Sequence, residues 1–391
     1  MGRVDFLLRT LTPSDTMKKL RIALIFGGNS TEHEVSLQSA KNIAAALDSS
    51  RFEIVPIGIT KQGQWLVAER EDDFLQNADD PERIALAPST KALMLAPAHC
   101  EGQWRLSGTS SSALDDIDVA LPVVHGGHGE DGSLQGLLNI LNVPYVGSNV
   151  LGSAVCMDKD IAKRLLRDAG IPVAPSVTVT RQSRRHLDTQ AMIDELGLPL
   201  FVKPASQGSS VGVTKVKQAN DLAAALDEAF IYDHKVLIEK AINGREIECA
   251  VLGNSGGREV PRASVCGEIV LHDEFYSYAT KYISASGAGL VIPAELETGV
   301  AEKVRQTAVE AFQVLECQGL ARVDFFVCED GGLMINEVNT LPGFTRISMY
   351  PKLWEATGLP YDKLLTRLVE LALEQHQDNA VIHHNVSLAR E

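Results

Sequence analysis

The sequence contains no continuous run of eighteen apolar residues and only six cysteines, and each scarcity excludes a class of protein. A membrane-spanning helix needs a run of about that length, so we expect a globular protein in water. The cysteines form no C-x-x-C pair, which argues against a zinc site, and their scatter argues against a disulfide framework. The first sixteen residues hold no more than three consecutive apolar residues, too few for a signal peptide, so we expect a cytoplasmic location.

Basic residues are outnumbered, because 36 Lys and Arg stand against 51 Asp and Glu, for a formal net charge of -15. Nucleic acids and anionic membranes bind clustered basic side chains, so neither is an expected partner. The phosphate-binding pattern G-x-x-x-x-G-K-[ST] is also absent. A small anionic substrate would therefore need a basic cradle of another kind or a metal ion.

What the chain does contain is an alternation of strand and helix patterns, which predicts an α/β protein. At 391 residues it is too long for one ordinary core and suits two or three domains. Apolar runs alternate with amphipathic segments over residues 17–148, as in parallel βαβ units, whereas residues 61–115 predict loops or a peripheral hairpin. Residues 1–16 are expected to be an extension without a fold, and residues 379–391 a frayed tail.

Three local signals in the rest of the chain predict individual elements. DKDIAKRLLRDAG predicts a helix with Asp158 as its N-cap and Gly170 just beyond its end. Asn243-Gly244 lies between the apolar segments VLIEK and REIECAVLG, and Asp330-Gly331 lies between LARVDFFV and LMINEVN. Both dipeptides favour two-residue loops, so we expect two β-hairpins.

The second hairpin carries an arrangement that predicts a metal site. A two-residue loop places Asp324 opposite Glu337 and Arg322 opposite Asn339, all on one side of the sheet. Two opposed carboxylates are unfavourable unless a cation lies between them, and such oxygen ligands suit Mg²⁺ beside phosphates. The alternative is a solvent-facing charge cluster, and a three-residue loop would shift the register.

Two glycine-rich segments are candidate anion sites. KPASQGSSVGV follows a strand, so that Lys203 and the backbone N–H groups of the loop could surround an anion; the alternative is a plain connector. Gly127, Gly129 and Gly132 match G-x-G-x-x-G, but no acidic residue follows at the ribose spacing. The start of a helix after that loop would still bind an anion or a carboxylate.

Three further features are ambiguous when each is taken alone. Glu34 either completes a capping box with Thr31 or holds a ligand at a strand–helix switch. His125, at the end of a strand, is either structural or catalytic. The segment 272–290 holds three of the seven tyrosines before a Gly/Ala/Ser stretch, and it is either an active-site lid or an ordinary loop.

Together these features resemble the ATP-grasp fold, and most closely the D-alanine–D-alanine ligases. The resemblance rests on motifs spread over residues 26–350, namely FGGNSTEHEVSLQSA, HGGHGEDGSLQG, VGS, CMDKD, FVKPASQGSSVGV, GREIECAVLG, KY, ARVDFF and INEVNTLPGFT. It implies an N-terminal Rossmann-like open-sheet domain over 17–148, a central ATP-grasp subdomain over 149–239 and a C-terminal catalytic subdomain over 240–378.

The resemblance implies an ATP-dependent ligation of two D-alanines through an acyl phosphate, for peptidoglycan synthesis. The alternatives are a depsipeptide ligase that joins D-alanine to D-lactate, and a non-catalytic nucleotide-binding relative. The implied cofactors are ATP and two Mg²⁺ ions, with Mn²⁺ as a substitute, and the implied assembly is a homodimer.

Roles for individual residues follow from the resemblance in three groups. The implied metal ligands are Asp324, Glu337 and Asn339. The implied nucleotide-binding residues are Lys159, Lys203, Ser210, Glu239, Lys240, Ile242, Glu246 and Lys281. The implied catalytic set comprises Glu34 for the first ammonium, Ser209 and Tyr282 hydrogen-bonded to it, Arg322 and the Gly343 N–H as oxyanion donors, Ser348 for the second carboxylate, and His125 near the first substrate.

Overall fold

The structure is a computed structural model that describes residues 18–68, 73–89, 91–95, 104–106, 117–271, 288–345 and 347–382. The strands are β1 Leu20–Gly27, β2 Phe52–Ile59, β3 Trp65–Val67, β4 Leu75–Gln76, β5 Ala85–Leu86, β6 Leu93–Leu95, β7 Trp104–Leu106, β8 Val119–Pro122, β9 Ser176–Thr180, β10 Leu200–Pro204, β11 Thr214–Val216, β12 Lys235–Lys240, β13 Arg245–Asn254, β14 Arg262–Leu271, β15 Ala288–Val291, β16 Gln318–Val327 and β17 Leu333–Asn339. The α-helices are α1 His33–Ala46, α2 Ser133–Ile140, α3 Val150–Met157, α4 Lys159–Asp168, α5 Thr189–Leu196, α6 Leu222–Tyr232, α7 Thr298–Val314, α8 Met349–Ala356 and α9 Tyr361–Ala380.

The first sheet has the order β3-β2-β1-β8, and β1 runs parallel to both β2 and β8. β1 is apolar from Ile22 to Phe26, and these residues are almost fully buried, as expected for a central parallel strand. The parallel βαβ prediction for this region is therefore confirmed. The irregular part of it contains two small antiparallel pairs, β4–β5 and β6–β7.

The second and third sheets disagree with one predicted hairpin. The second sheet has the order β11-β10-β12-β9, whereas the third has the order β15-β14-β13-β16-β17. β12 and β13 therefore belong to different sheets, and the prediction that Asn243-Gly244 joins them as a hairpin is wrong. The favoured two-residue turn needs positive φ at both central residues, and neither Asn243 nor Gly244 has it. β13 pairs along its length with β14 and β16 instead of with β12.

The β16–β17 hairpin has the expected pairs but an unexpected loop. The N–H of Cys328 donates to the carbonyl of Gly332, which leaves three residues in the loop rather than two. A register irregularity follows, since Phe325 pairs with Ile335 but Asp324 pairs with Glu337. The extra residue on β17 is a β-bulge that compensates for the longer loop, so the opposed carboxylates are present as predicted.

The helix α4 begins and ends where the sequence predicted. The Asp158 carboxylate accepts hydrogen bonds from the N–H groups of Asp160 and Ile161, and Gly170 follows the helix with φ of +78°. This cap fixes the first turn of α4 beside the end of β10, because the N–H of Lys159 donates to the carbonyl of Ala205.

The largest buried cluster connects distant parts of the chain. Leu24 of β1, Leu252 of β13 and Leu368 of α9 belong to the same core, which joins the first and third sheets through the C-terminal helix. α9 extends to Ala380, into residues expected to belong to the tail. Of the helices that the structure describes, none combines the length and the apolar character required to cross a membrane.

Candidate functional site

The opposed carboxylates of the third sheet are held by an arginine and an amide. Arg322 donates from Nε and Nη2 to the two carboxylate oxygens of Asp324, each at 2.7 Å. Asn339 Nδ2 donates to Asp324 Oδ2 at 2.9 Å. Arg322 Nε also lies 2.9 Å from Glu248 Oε2. The structure therefore brings the predicted metal set and the predicted oxyanion arginine onto one face of the sheet.

Glu248 was not predicted from the sequence, although it completes this charge cluster. It lies on β13 directly opposite Asp324 and is only 5% exposed. A carboxylate between the buried Ile247 and Cys249 on a strand is unfavourable without a cationic partner, and Arg322 is that partner. The only sequence signal was its position in REIECAVLG, where an acidic residue interrupts an apolar strand.

The donor set on this hairpin fits a hard divalent cation. Asp324, Glu337 and Asn339 carry carboxylate and amide oxygens on adjacent positions of β16 and β17, which are the oxygen ligands that Mg²⁺ takes beside phosphates. Within the described ranges, no group of three or more His, Cys, Asp or Glu side chains could hold a metal. A metal here would therefore rely on two carboxylates, the amide and oxygens of the substrate.

The two predicted phosphate lysines approach this hairpin from the second sheet and from α4. Lys159 Nζ lies 3.4 Å from Glu337 Oε2 and donates to the carbonyl of Gln207 at 2.7 Å. Lys203 Nζ lies 2.5 Å from Glu239 Oε2 and donates to Asn336 Oδ1 at 3.3 Å. Both ammonium groups are thus close to the strand that carries Glu337.

A third lysine, Lys163, completes the basic group and was not predicted. Its side chain is only 2% exposed, and its Nζ lies 2.9 Å from Glu239 Oε1. Burial lowers the pKa of Lys163, against the opposing effect of the Glu239 charge. Burial raises the pKa of Glu239, but the two lysine charges outweigh it and hold that pKa below its usual value. The available sequence signal was the spacing of four from Lys159, which puts both lysines on one helix face.

The glycine- and serine-rich loop after β10 lies against the start of α1. Ser209 and Ser210 have φ of +51° and +59°, which is rare for residues with side chains and turns the loop sharply. The Ser209 hydroxyl donates to the carboxylate of Glu32. A Cβ added at Gly208 would lie 3.3 Å from Glu32 Oε2, so this loop approaches that carboxylate closely.

The structure corrects the expected partner of Ser209, which was Glu34. Glu34 Oε1 instead accepts from Lys61 Nζ at 2.6 Å, in a pair whose side chains are 33% and 54% exposed. Burial raises the pKa of Glu34, yet the hydrogen bond and charge of Lys61 leave it lowered. The capping-box alternative is also wrong, because Glu32 and not Thr31 occupies the N-cap position of α1.

His125 lies in a buried network beside Glu32. Its Nδ1 is 3.6 Å from Glu130 Oε1, and its Nε2 is 3.4 Å from the Ser39 hydroxyl. Burial lowers the pKa of His125, but the hydrogen bond to Glu130 and the charges of Glu32 and Glu130 raise it overall. Burial is the main cause of the raised pKa of Glu130. Glu130 belongs to the HGGHGEDG motif but was not predicted as a site residue.

The loop after β17 meets this network from the opposite side. The N–H of Phe344 donates to the Ser39 hydroxyl at 3.3 Å. A Cβ added at Gly343 would lie 2.9 Å from Ser348 Oγ, so the absence of a side chain permits that approach. Ser348 Oγ accepts from the N–H of Thr345 at 3.0 Å. The structure therefore places Gly343 and Ser348 together, on the side of the site where His125 lies.

The remaining predicted nucleotide residues lie along the connection from β12 to β13. Lys240 is exposed at the end of β12, Ile242 and Glu246 are half-buried, and the Lys240 N–H donates to the carbonyl of Pro175. The lid positions Lys281 and Tyr282 lie outside the residues that the structure describes.

Comparison with known proteins follows the same division of the chain. The family models described as D-ala D-ala ligase N-terminus and C-terminus match residues 21–148 and 165–370. The D-alanine–D-alanine ligase A of Chromobacterium violaceum is 61% identical over 359 residues, which cover 92% of this chain and 96% of that protein.

Comparison with solved structures also finds ligases of this kind. The D-alanine-D-alanine ligase of Coxiella burnetii gives a TM-score of 0.80 at 40% identity and covers 93% of this chain and 97% of its own. The VanG D-Ala:D-Ser ligase of Enterococcus faecalis gives a TM-score of 0.79 at 36% identity, and the match covers 91% of this chain and 100% of that chain. These likenesses confirm the predicted fold class, an ATP-grasp fold with an N-terminal open-sheet domain.

Proposed function

Because the chain belongs to the D-ala D-ala ligase family, we propose that it joins two D-alanine molecules to D-alanyl-D-alanine with ATP, as a step of cell-wall peptidoglycan synthesis. The γ-phosphoryl group passes to the carboxylate of the first D-alanine and gives an acyl phosphate. The amine of the second D-alanine attacks the acyl carbon, and the tetrahedral intermediate expels phosphate. The observation that carries this proposal is the convergence of the lysine group, the acidic hairpin and the Glu32–Ser209 contact on one region.

Lys159 and Lys203 bind the phosphates in this reaction. Each lies at the end of an element facing the β17 strand, so their charges oppose the negative charge of the nucleotide. The segment Glu239 to Ile242 holds the adenine, Glu246 the ribose, and Ser210 lies in the loop over the phosphates. Mg²⁺ held by Asp324, Glu337 and Asn339 would draw negative charge from the transferred phosphoryl group.

Glu32 takes the role first assigned to Glu34, which is to bind the ammonium of the first D-alanine. It is 7% exposed, it accepts from Ser209, and its charge reaches the buried His125. A carboxylate in such a site attracts an ammonium more strongly than a solvated one does. His125 and Glu130 orient this end of the site.

The tetrahedral intermediate requires donors where its oxyanion develops. Arg322 is held between Glu248 and Asp324, which fixes the orientation of its guanidinium group. The Gly343 N–H is the second donor, and Ser348 binds the carboxylate of the second D-alanine. Lys281 and Tyr282 serve as lid residues in this proposal.

The experiment that tests the function measures ADP release by the purified chain with Mg²⁺ and ATP. Four substrate mixtures are compared, namely D-alanine, L-alanine, D-alanine with D-lactate, and D-alanine with D-serine, and the products are identified by mass. We expect ADP release coupled to D-alanyl-D-alanine. Release only with a hydroxy acid would identify a depsipeptide ligase, and ATP binding without turnover would favour a non-catalytic relative.

Replacement of Lys203 with methionine should raise the KM for ATP by about tenfold or more, because one charge-assisted phosphate contact is lost. Steady-state kinetics with varied ATP and saturating D-alanine measure this effect. Lys215→Met is the matched control, since Lys215 lies on the neighbouring β11, where its Nζ is 5.8 Å from the ring of Phe201. Equal KM values for both variants would contradict the phosphate assignment.

Three wider features belong to the same proposal. The chain acts in the cytoplasm as a homodimer, and light scattering measures that assembly directly.

Its domains are residues 17–148, 149–239 and 240–378, a division supported by the three sheets, which fall into those ranges apart from the last residue of β12. Limited proteolysis should cut first near those boundaries.

A further inference from the structure

The carboxylate of Glu239 lies between two lysines. Its Oε1 is 2.9 Å from Lys163 Nζ and its Oε2 is 2.5 Å from Lys203 Nζ. All three side chains are less than a tenth exposed. In the part of the chain that the structure describes, Glu239 is the only carboxylate within ion-pair distance of Lys163. Lys203 differs, because it also donates to Asn336 and lies at the end of β10.

The two lysines therefore have unequal tasks. Lys203 faces the strand that carries Glu337 and can turn to a phosphate. When it does so, Glu239 loses the contact at Oε2, and a buried carboxylate without a partner is strongly unfavourable. Lys163 remains at Oε1 and keeps that carboxylate compensated. Without Lys163, Lys203 would be the sole counter-ion of Glu239 and would be retained there.

We propose that Lys163 is a positioning residue for nucleotide binding, which holds Glu239 so that Lys203 is free to bind the phosphates of ATP. This inference rests on the proposed nucleotide site. It gives the Glu239 side chain a task distinct from contact with adenine, since its carboxylate faces the lysines. Lys163 itself touches neither nucleotide nor amino acid and acts through Glu239.

The test is the dissociation constant of ATP, measured by calorimetry with Mg²⁺ and without D-alanine. Lys163→Met keeps most of the side-chain length and removes the charge. It should raise the dissociation constant by about tenfold, within the range of couplings between contacting side chains. The KM for D-alanine should change by less than about twofold, because Glu32 and Ser209 are not part of this cluster.

A double-mutant cycle distinguishes action through Lys203 from a general loss of structure. In the Lys203→Met background, Lys163→Met should change the dissociation constant by less than about twofold, because the residue it releases is gone. An undiminished effect in that background would overturn the proposal. Arg164→Met is the matched control. Arg164 directly follows Lys163 on α4, and its replacement removes an ion pair with Asp160, so ATP binding should be unchanged.

A second variant keeps the proposal testable if Lys163→Met fails to fold. Lys163→Arg keeps a positive charge beside Glu239, so the carboxylate stays compensated and Lys203 remains free to bind phosphate. The dissociation constant of ATP should stay within about threefold of the wild type. Binding at least tenfold weaker than that of the folded wild type would contradict the inference. No ATP binding by the wild type would instead contradict the proposed function.

Discussion

Replacement of Glu337 with glutamine should lower kcat by about a thousandfold, because metal ions contribute several kilocalories per mole to phosphoryl transfer and each ~1.4 kcal/mol is a factor of ten. Glu337 lies opposite Asp324, and its Oε2 is 3.4 Å from Lys159 Nζ. The variant keeps the shape of the side chain and removes its charge. Initial rates at saturating ATP and D-alanine, measured over a titration of Mg²⁺, should show the loss and a shift of activation to higher Mg²⁺.

Glu329→Gln is the matched control for that variant. Glu329 lies in the loop of the same hairpin and is exposed, so its replacement should alter kcat by less than about twofold. If Glu337→Gln kept the rate and the Mg²⁺ dependence of the wild type, the paired carboxylates would be a charge cluster balanced by Arg322 and Lys159. The metal assignment would then be wrong.

The Asp324–Glu337 pair also shows how a prediction can succeed by compensation. The sequence predicted a two-residue loop, and the opposed carboxylates were derived from it. The loop has three residues, and the shift that this introduces is cancelled by the bulge between Ile335 and Glu337. A turn dipeptide reports only on its own backbone, whereas a bulge depends on the packing of both strands, so neither departure could be read from local composition.

Local signals predicted elements well and contacts between elements poorly. The cap of α4 by Asp158 and its end at Gly170 involve neighbours in sequence, and both were predicted. The Asn243-Gly244 turn failed because β13 pairs with strands that are distant in sequence. Lys163 was missed for the same reason, since its counter-ion Glu239 is 76 residues away and a lysine in an amphipathic helix normally faces solvent.

The choice between Glu32 and Glu34 depended on where α1 begins. The two residues differ by two positions, and sequence patterns locate helix ends only to within about two residues. Glu32 is the N-cap, so it precedes the helix and meets the Ser209 loop. Glu34 lies in the first turn and points to Lys61 instead. The resemblance assigned the ammonium to Glu34 alone, and only the contact between Ser209 and Glu32 in the structure moved that assignment.

Glu32→Gln should therefore lower kcat/KM for D-alanine by about a hundredfold or more, since removal of one member of a buried charge pair costs about 2–5 kcal/mol. The dissociation constant of ATP should stay near that of the wild type, because the lysine cluster is unchanged. Glu34→Gln provides the control within the same motif. It removes only a pair that is a third or more exposed, and such pairs contribute about 0–1 kcal/mol, so activity should stay within about twofold. Kinetics with varied D-alanine for both variants decide between the two glutamates. If Glu34→Gln lowered kcat/KM strongly and Glu32→Gln did not, the ammonium site would be at Glu34, and the contact between Ser209 and Glu32 would be purely structural.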